Sequence, residues 1–246
     1  MDLRGKVTII TGGGRGIGRA LSLMMASEGA LVIICGRDKG ELVELQNLIN
    51  ESGGNCDYAV VDVTRLEQVR EFVSGVEQQH GPVDVLVNNA GYCAPPAPVE
   101  ELGDEDYRRI LATNIDGVFY FTRLVVPMMK KKNEGVIVTI SSGCGRRGAA
   151  GLAAYSASKF AVQGFMQAVA AELRTTAIRC VLINPGGVAT RMLANLFGEA
   201  EASRQQPPEV IADVLRTVLK EKIVVPSGGG ICVRGGEVTE VYGPGE

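Results

Sequence analysis

Tyr155 and Lys159 stand four residues apart in AAYSASKFAVQGF, Ala153 to Phe165, a stretch otherwise made mostly of small and apolar residues. On a helix, positions i and i+4 share a face, so the phenol and the ammonium would point the same way. A phenol titrates near ~10 and a neighbouring ammonium favours its ionised form, which makes Tyr155 a candidate proton donor to a carbonyl oxygen. The bland alternative is a packing tyrosine with a lysine stem lying along it. Thirteen residues before Tyr155, Ser142 places a hydroxyl where the apolar run GVIVTISS ends.

A second group of residues suits an anionic cofactor. TGGGRGIG, Thr11 to Gly18, follows the first apolar run and opens what looks like a helix. Glycines there let the backbone approach a pyrophosphate, and the free amides of a helix start attract its charge. The second run ends ICGRDKG, with Gly36 where a carboxylate would bind the ribose hydroxyl of NAD and with Arg37 next to it. That leaves room for a 2′-phosphate and offers a guanidinium fork to hold it, with Arg15 as a second cation, so NADP is the expected cofactor. Asp62 closes the third run and Asn88 to Gly91 the fourth. The two asparagines suit either a ligand edge or turns that bond their own backbone.

The elements that must position these groups follow from periodicity. Seven short runs, KVTIITG, ALVIICG, CDYAVVDV, VDVLVNNAG, GVIVTISS, IRCVLINPG and GICVRG, alternate with stretches of helical spacing such as LEQVREFVSGVEQQHG. Continuous apolar strands predict a parallel sheet covered on both faces, and right-handed crossovers make it doubly wound. The expectation is a single α/β domain over residues 1–246, a Rossmann fold of about seven strands, with ligands beyond the strand carboxyl ends. CAPPAP and SRQQPPE read as loops, the second leading into a helix with proline in its first turn.

Composition narrows the function. With 246 residues of which 46% are hydrophobic, the chain can bury one sizeable core. The net charge of −3 shows no basic stripe or long acidic run, which argues against nucleic acid or an anionic membrane as partner and for a small molecule. MKKKNE reads as a solvated helix end whose lysines complement the dipole. Six dispersed cysteines without a CxxC read as buried thiols of a reduced compartment. No signal-peptide layout and no apolar run near ~18 residues is present, so a soluble cytoplasmic protein is expected. The lone His80 reads as a surface residue, leaving little for histidine triads or metal sites, and no metal is expected.

Taken together, TGGGRGIG, NNAG, ISS, YSASK and NPGGVAT occur in the order and over nearly the whole length that characterise a family: the sequence resembles the short-chain dehydrogenase/reductases. That resemblance implies Tyr155 as general acid or base, Ser142 as a hydrogen-bond partner of the substrate carbonyl, and Lys159 as the group that lowers the tyrosine's pKa and binds the nicotinamide ribose. Asn114, in LATNIDG, would support a water-linked proton relay. It also implies Gly12, Gly14, Arg15, Gly16, Ile17 and Gly18 at the pyrophosphate end, Asp62 and Val63 at the adenine, and Asn89, Ala90 and Gly91 along the central cleft. Pro185, Gly186, Val188 and Thr190 would face the nicotinamide, and NADP-preferring members carry basic residues where Arg15 and Arg37 stand.

The general look is that of 3-oxoacyl-carrier-protein reductases and broad carbonyl reductases, so the expected activity is NADPH-dependent ketone reduction. The alternatives are an alcohol or sugar dehydrogenase, or a silent NADP-sensing module. Asn133 and Thr176 stand where those reductases commonly hold basic residues for the acyl carrier protein, with Lys131, Lys132 and Arg174 near enough to substitute. GGGICVRGGEVTEVYG also replaces the usual TGQ and DGG ending. A substrate loop is expected within about 187–207, where Met192, Leu193, Leu196 and Phe197 form either an apolar lid or one face of a helix packed on the core. Arg146 and Arg147 read as a solvated loop pair, with an anionic substrate as the alternative. Family members are usually homotetramers, so a homotetramer or homodimer is expected.

Overall fold

In the computed structural model, which describes residues 1–245, every one of the seven apolar runs contains a strand, and an eighth strand follows. The chain runs β1 (Val7–Thr11), α1 (Gly16–Ser27), β2 (Leu31–Gly36), α2 (Lys39–Glu51), β3 (Asn55–Val60), α3 (Leu66–His80) and β4 (Val85–Asn88). It continues through α4 (Asp104–Leu111), a π turn (Ala112–Asp116), α5 (Gly117–Lys132), β5 (Gly135–Ile140), α6 (Ala153–Glu172) and β6 (Ile178–Pro185). The last elements are α7 (Arg191–Phe197), α8 (Glu199–Ala202), α9 (Pro208–Leu219), β7 (Gly230–Arg234) and β8 (Glu237–Tyr242).

The strands form one sheet in the order β3-β2-β1-β4-β5-β6-β7-β8. Winding reverses between β1 and β4, where a crevice opens beyond the strand carboxyl ends. All pairs are parallel except β7 with β8, whose register Arg234↔Glu237 closes over Gly235 and Gly236. Both glycines have positive φ, 57° and 89°, as a two-residue primed turn requires. β8 lies outside the seven expected strands because EVTEVY is half polar and mostly exposed, as an edge strand can be.

β1, β4 and β5 are buried along their whole length, as strands covered on two faces must be. β3 differs: it is the other edge of the sheet, and Val60 is exposed. One core packs α1, α2 and α9 on the sheet through Leu21, Met25, Leu45 and Leu215. The opposite core packs α3, α5 and α6 through Phe72, Phe121, Val125 and Met166. Pro208 opens α9 as expected.

Two polar details differ from expectation. The lysines of MKKKNE do end α5, but Lys132 is not simply solvated: its ammonium pairs with the buried Asp84, which also accepts from the Val7 amide at 2.8 Å. His80 closes α3 half-buried, with its Nε2 3.4 Å from Asp57. Among the described residues no helix is long and apolar enough to cross a membrane.

Candidate active site

Beyond the carboxyl ends of β1, β4, β5 and β6 lies a cleft of about 1520 Å³. It is lined by every cofactor-binding and catalytic candidate above except Asn114. The glycine loop forms its inner wall. A Cβ at Gly18 would sit 2.1 Å from the Gly12 carbonyl oxygen, so nothing larger than glycine lets the helix start this close to β1. Gly16 has φ +51°, and a Cβ there would meet the Thr190 methyl at 3.2 Å, so the two loops nearly touch across the cleft. α1 begins with no side chain capping it, which leaves its first amides free to hold an anion. This cradle fits a dinucleotide pyrophosphate.

Asn89 braces the loop rather than making a turn of its own. Its Nδ2 donates to the carbonyls of Thr11 and Gly12 at 2.9 and 3.1 Å, while Thr11 Oγ1 accepts from the Asn89 and Ala90 amides. Asn88 points the other way, donating to Thr122 Oγ1. At the outer end, Arg37 is exposed beside the last residue of β2, and Arg15 reaches Glu41 at 3.5 Å. Glu41 also holds Arg191 at 2.7 Å, so one carboxylate joins the glycine loop to the first turn of α7. Burial raises the Glu41 pKa despite Arg15. Burial also works to raise Asp62, but Thr64, donating through backbone and hydroxyl, and the nearby Arg37 and Arg65 hold it below its ordinary value.

Ser142 starts a short 3₁₀ turn directly after β5, its Oγ accepting from the Cys144 amide at 3.1 Å. Tyr155 lies in the first turn of α6 and Lys159 one turn on, the shared face expected from their spacing. Burial acts on both groups. Burial pushes the Tyr155 phenol well above its ordinary value, the Cys93 and Cys144 thiols add to this, and a hydrogen bond from Ser142 only partly offsets it. Burial also pushes Lys159 down to about 8. Its ammonium lies 5.6 Å from the centre of the Tyr155 ring and donates to the Ile140 carbonyl at 3.0 Å.

Asn114 is buried in the π turn, a distortion common at functional sites. Its amide donates to the Tyr92 carbonyl and Ser158 Oγ, both at 2.9 Å, and its oxygen accepts from the Tyr92 amide. It thus ties the segment after β4 to α6 behind the cleft. Pro185 ends β6, the Gly186 amide pairs with Val233, Val188 bridges Gln206, and Thr190 caps α7 by accepting from the Leu193 amide.

The residues of the expected substrate loop settle on one side of their alternatives. α7 has no buried residue, and Met192, Leu193, Leu196 and Phe197 all face the cleft rather than the core. Arg146 is not a solvated partner of Arg147: it pairs with Glu240 at 3.1 Å and stacks 3.9 Å above the Tyr242 ring. Arg147 alone turns, exposed, to the cleft. The structure adds Glu41, Cys93, Arg191, Arg204 and Arg234 to the lining, and nothing in their residue types or spacing marks them in the sequence.

A doubly wound sheet with a glycine cradle at its switch point defines a dinucleotide-binding protein. Residues 6–201 match the family model described as short chain dehydrogenase, and the chain belongs to that family of NAD(P)-dependent oxidoreductases. It is 35% identical over 228 residues, 93% of each chain, to an NADPH-dependent pterin aldehyde reductase of Arabidopsis thaliana. It is 36% identical to a 3-oxoacyl-[acyl-carrier-protein] reductase of Thermotoga maritima, covering 97% of this chain and all of that one. Among solved structures, a 3-ketoacyl-(acyl-carrier-protein) reductase from Brucella melitensis complexed with NADH superimposes with a TM-score of 0.87 at 30% identity, over 95% of this chain and 98% of that one. A putative NAD(P) dependent gluconate 5-dehydrogenase from Beutenbergia cavernae, with bound NADP, gives 0.87 at 31% identity over 96% and 97%.

Proposed function

We propose that the protein reduces a ketone or aldehyde with NADPH, Tyr155 giving the proton to the carbonyl oxygen. The observation that carries this reading is the placement of Tyr155, whose phenol lines the cleft with a hydrogen bond to Ser142 and with the Lys159 ammonium 5.6 Å from its ring centre. A phenol is protonated at neutral pH and can give its proton to a carbonyl oxygen as the carbonyl carbon is reduced. Bound at the glycine cradle, the nicotinamide cofactor supplies the hydride. Ser142 polarises and orients the carbonyl, Lys159 recharges the tyrosine's neighbourhood and holds the cofactor's ribose, and Asn114 positions α6 against the π turn. Arg15 and Arg37 are the groups for a 2′-phosphate. The lid of α7 excludes water from the reacting carbonyl.

The substrate class proposed is a carbonyl compound such as a 3-oxoacyl thioester. Of the cations near the expected carrier positions, Lys132 is tied to Asp84 and Arg174 bonds the Ala171 carbonyl. Exposed Phe119 and Phe160, on α5 and α6, support self-association as a homodimer or homotetramer in the cytoplasm, read by light scattering on a sizing column.

The test is NADPH depletion over a panel of ketones, aldehydes and oxoacyl thioesters. Turnover should fall by about a hundredfold or more in Tyr155→Phe, the scale of losing a general acid. Full activity in that variant removes Tyr155 from the chemistry, and cofactor binding without turnover of any carbonyl points to a sensing module.

A further inference from the structure

The charges lining the cleft are segregated. Its acids, Asp38, Glu41 and Asp62, all lie beyond β2 and β3, at the outer end. Around Ser142 and the lid, the charged lining residues apart from Lys159 are arginines: Arg147, Arg191, Arg204 and Arg234. Arg191 is engaged by Glu41 at 2.7 Å, and Arg204 has Glu201 at 3.9 Å. Among the described residues, Arg147 and Arg234 have neither an ion pair nor a side-chain hydrogen bond.

Arg234, exposed at the end of β7, reaches toward the serine side of the cleft. Its stem crosses Gly186, where a Cβ would lie 3.2 Å from Arg234 Cγ, so glycine there lets the side chain lie flat over the end of β6. Its Nη2 ends 3.7 Å from where a Cβ of Gly143 would be, beside the residue that follows Ser142. Arg147 belongs to the same turn, its amide bonded to the Gly143 carbonyl at 3.1 Å. Two exposed arginines, from the end of β7 and from the turn after β5, thus line the cleft near Gly143 without a partner among the described residues. Guanidinium forks are matched to carboxylate and phosphate oxygens.

We propose that the substrate is an anionic carbonyl compound, its carboxylate or phosphate held by Arg234 and Arg147 while its apolar part lies under Met192, Leu196 and Phe197. The proposal rests on the carbonyl-reductase reading and narrows it. Its test compares kcat/KM for 2-oxohexanoate and 4-oxohexanoate with their methyl esters, and for dihydroxyacetone phosphate with dihydroxyacetone; the first arm reads a carboxylate, the second a phosphate. In at least one arm the anion should be favoured by about tenfold to a hundredfold, mostly through KM, the range of a charge-assisted hydrogen bond. That preference should shrink in Arg234→Gln and in Arg147→Gln and persist in the remote Arg70→Gln.

Equal use of charged and neutral members in both arms, or a preference that survives both single variants, overturns the anion site. Should no carbonyl compound be reduced, the reductase reading fails on its own, and calorimetric binding of 2-hydroxyhexanoate against its methyl ester decides the site. Anion-selective binding that weakens in either folded variant sustains it, and equal binding overturns it.

Discussion

Replacing Lys159 by methionine should stabilise the fold at neutral pH while removing its chemistry. Lys159 is 5% exposed, and burial lowers its pKa from the ordinary 10.5 to about 8. At about 1.4 kcal/mol per unit, keeping the ammonium charged in the folded protein costs roughly 3 kcal/mol at pH 7. Methionine is of similar length and carries no charge, but it forgoes the hydrogen bond to the Ile140 carbonyl, worth about 1 kcal/mol. The net gain is about 2 kcal/mol, or a rise in Tm of roughly 4–8 °C for a chain of this size.

The pH dependence gives the sign. Because the folded value lies below the unfolded one, the folded state binds this proton more weakly. The penalty is complete below about 8 and fades as pH rises toward 10.5. The advantage of Lys159→Met should therefore shrink from about 2 kcal/mol at pH 7 to about zero near pH 10. Parallel urea unfolding of both proteins without cofactor measures this, since the other titrating groups are common to both. A variant less stable than wild type at pH 7, or a difference that does not change with pH, would refute the reasoning.

The cofactor end yields two further outcomes. Arg37→Ala should reduce the preference for NADPH over NADH by about tenfold, the loss of one charge-assisted bond, whereas Glu41→Gln, which frees Arg15 and Arg191, should raise it a few-fold. Fluorescence titration with both cofactors reads the ratio, and a ratio unmoved by Arg37→Ala removes that residue from phosphate recognition. Gly18→Ala places a methyl carbon 2.1 Å from the Gly12 carbonyl and 2.6 Å from Asn89 Nδ2. It should destabilise the fold by about 1–3 kcal/mol and abolish cofactor binding; normal titration by this variant would show that the loop is not held by that approach.

What the sequence discloses here depends on whether a residue's role is local. The inner parallel strands are legible because a strand covered on both faces must be apolar throughout, and β8 escapes because, as an edge strand, it is mostly polar and exposed. The glycine loop is legible because its backbone demand falls on consecutive residues. Glu41 and Arg191 are 150 positions apart and meet only because the doubly wound sheet delivers both to one cleft; neither type nor spacing marks that pair. Arg234 is hidden in the same way, its reach toward Gly143 set by Gly186 just past the end of β6.

Tyr155 and Lys159 show the intermediate case. Their shared face follows from i and i+4, but the sign of their effect does not follow from pairing a phenol with an ammonium. Burial disfavours the charged form of each, so it raises one and lowers the other; the Cys93 and Cys144 thiols add to the rise of Tyr155 and work against the fall of Lys159. Two neutral-leaning groups side by side make a protonated donor with a readily discharged neighbour. Spacing thus sets which groups meet, and the solvation around them sets which charge state each prefers.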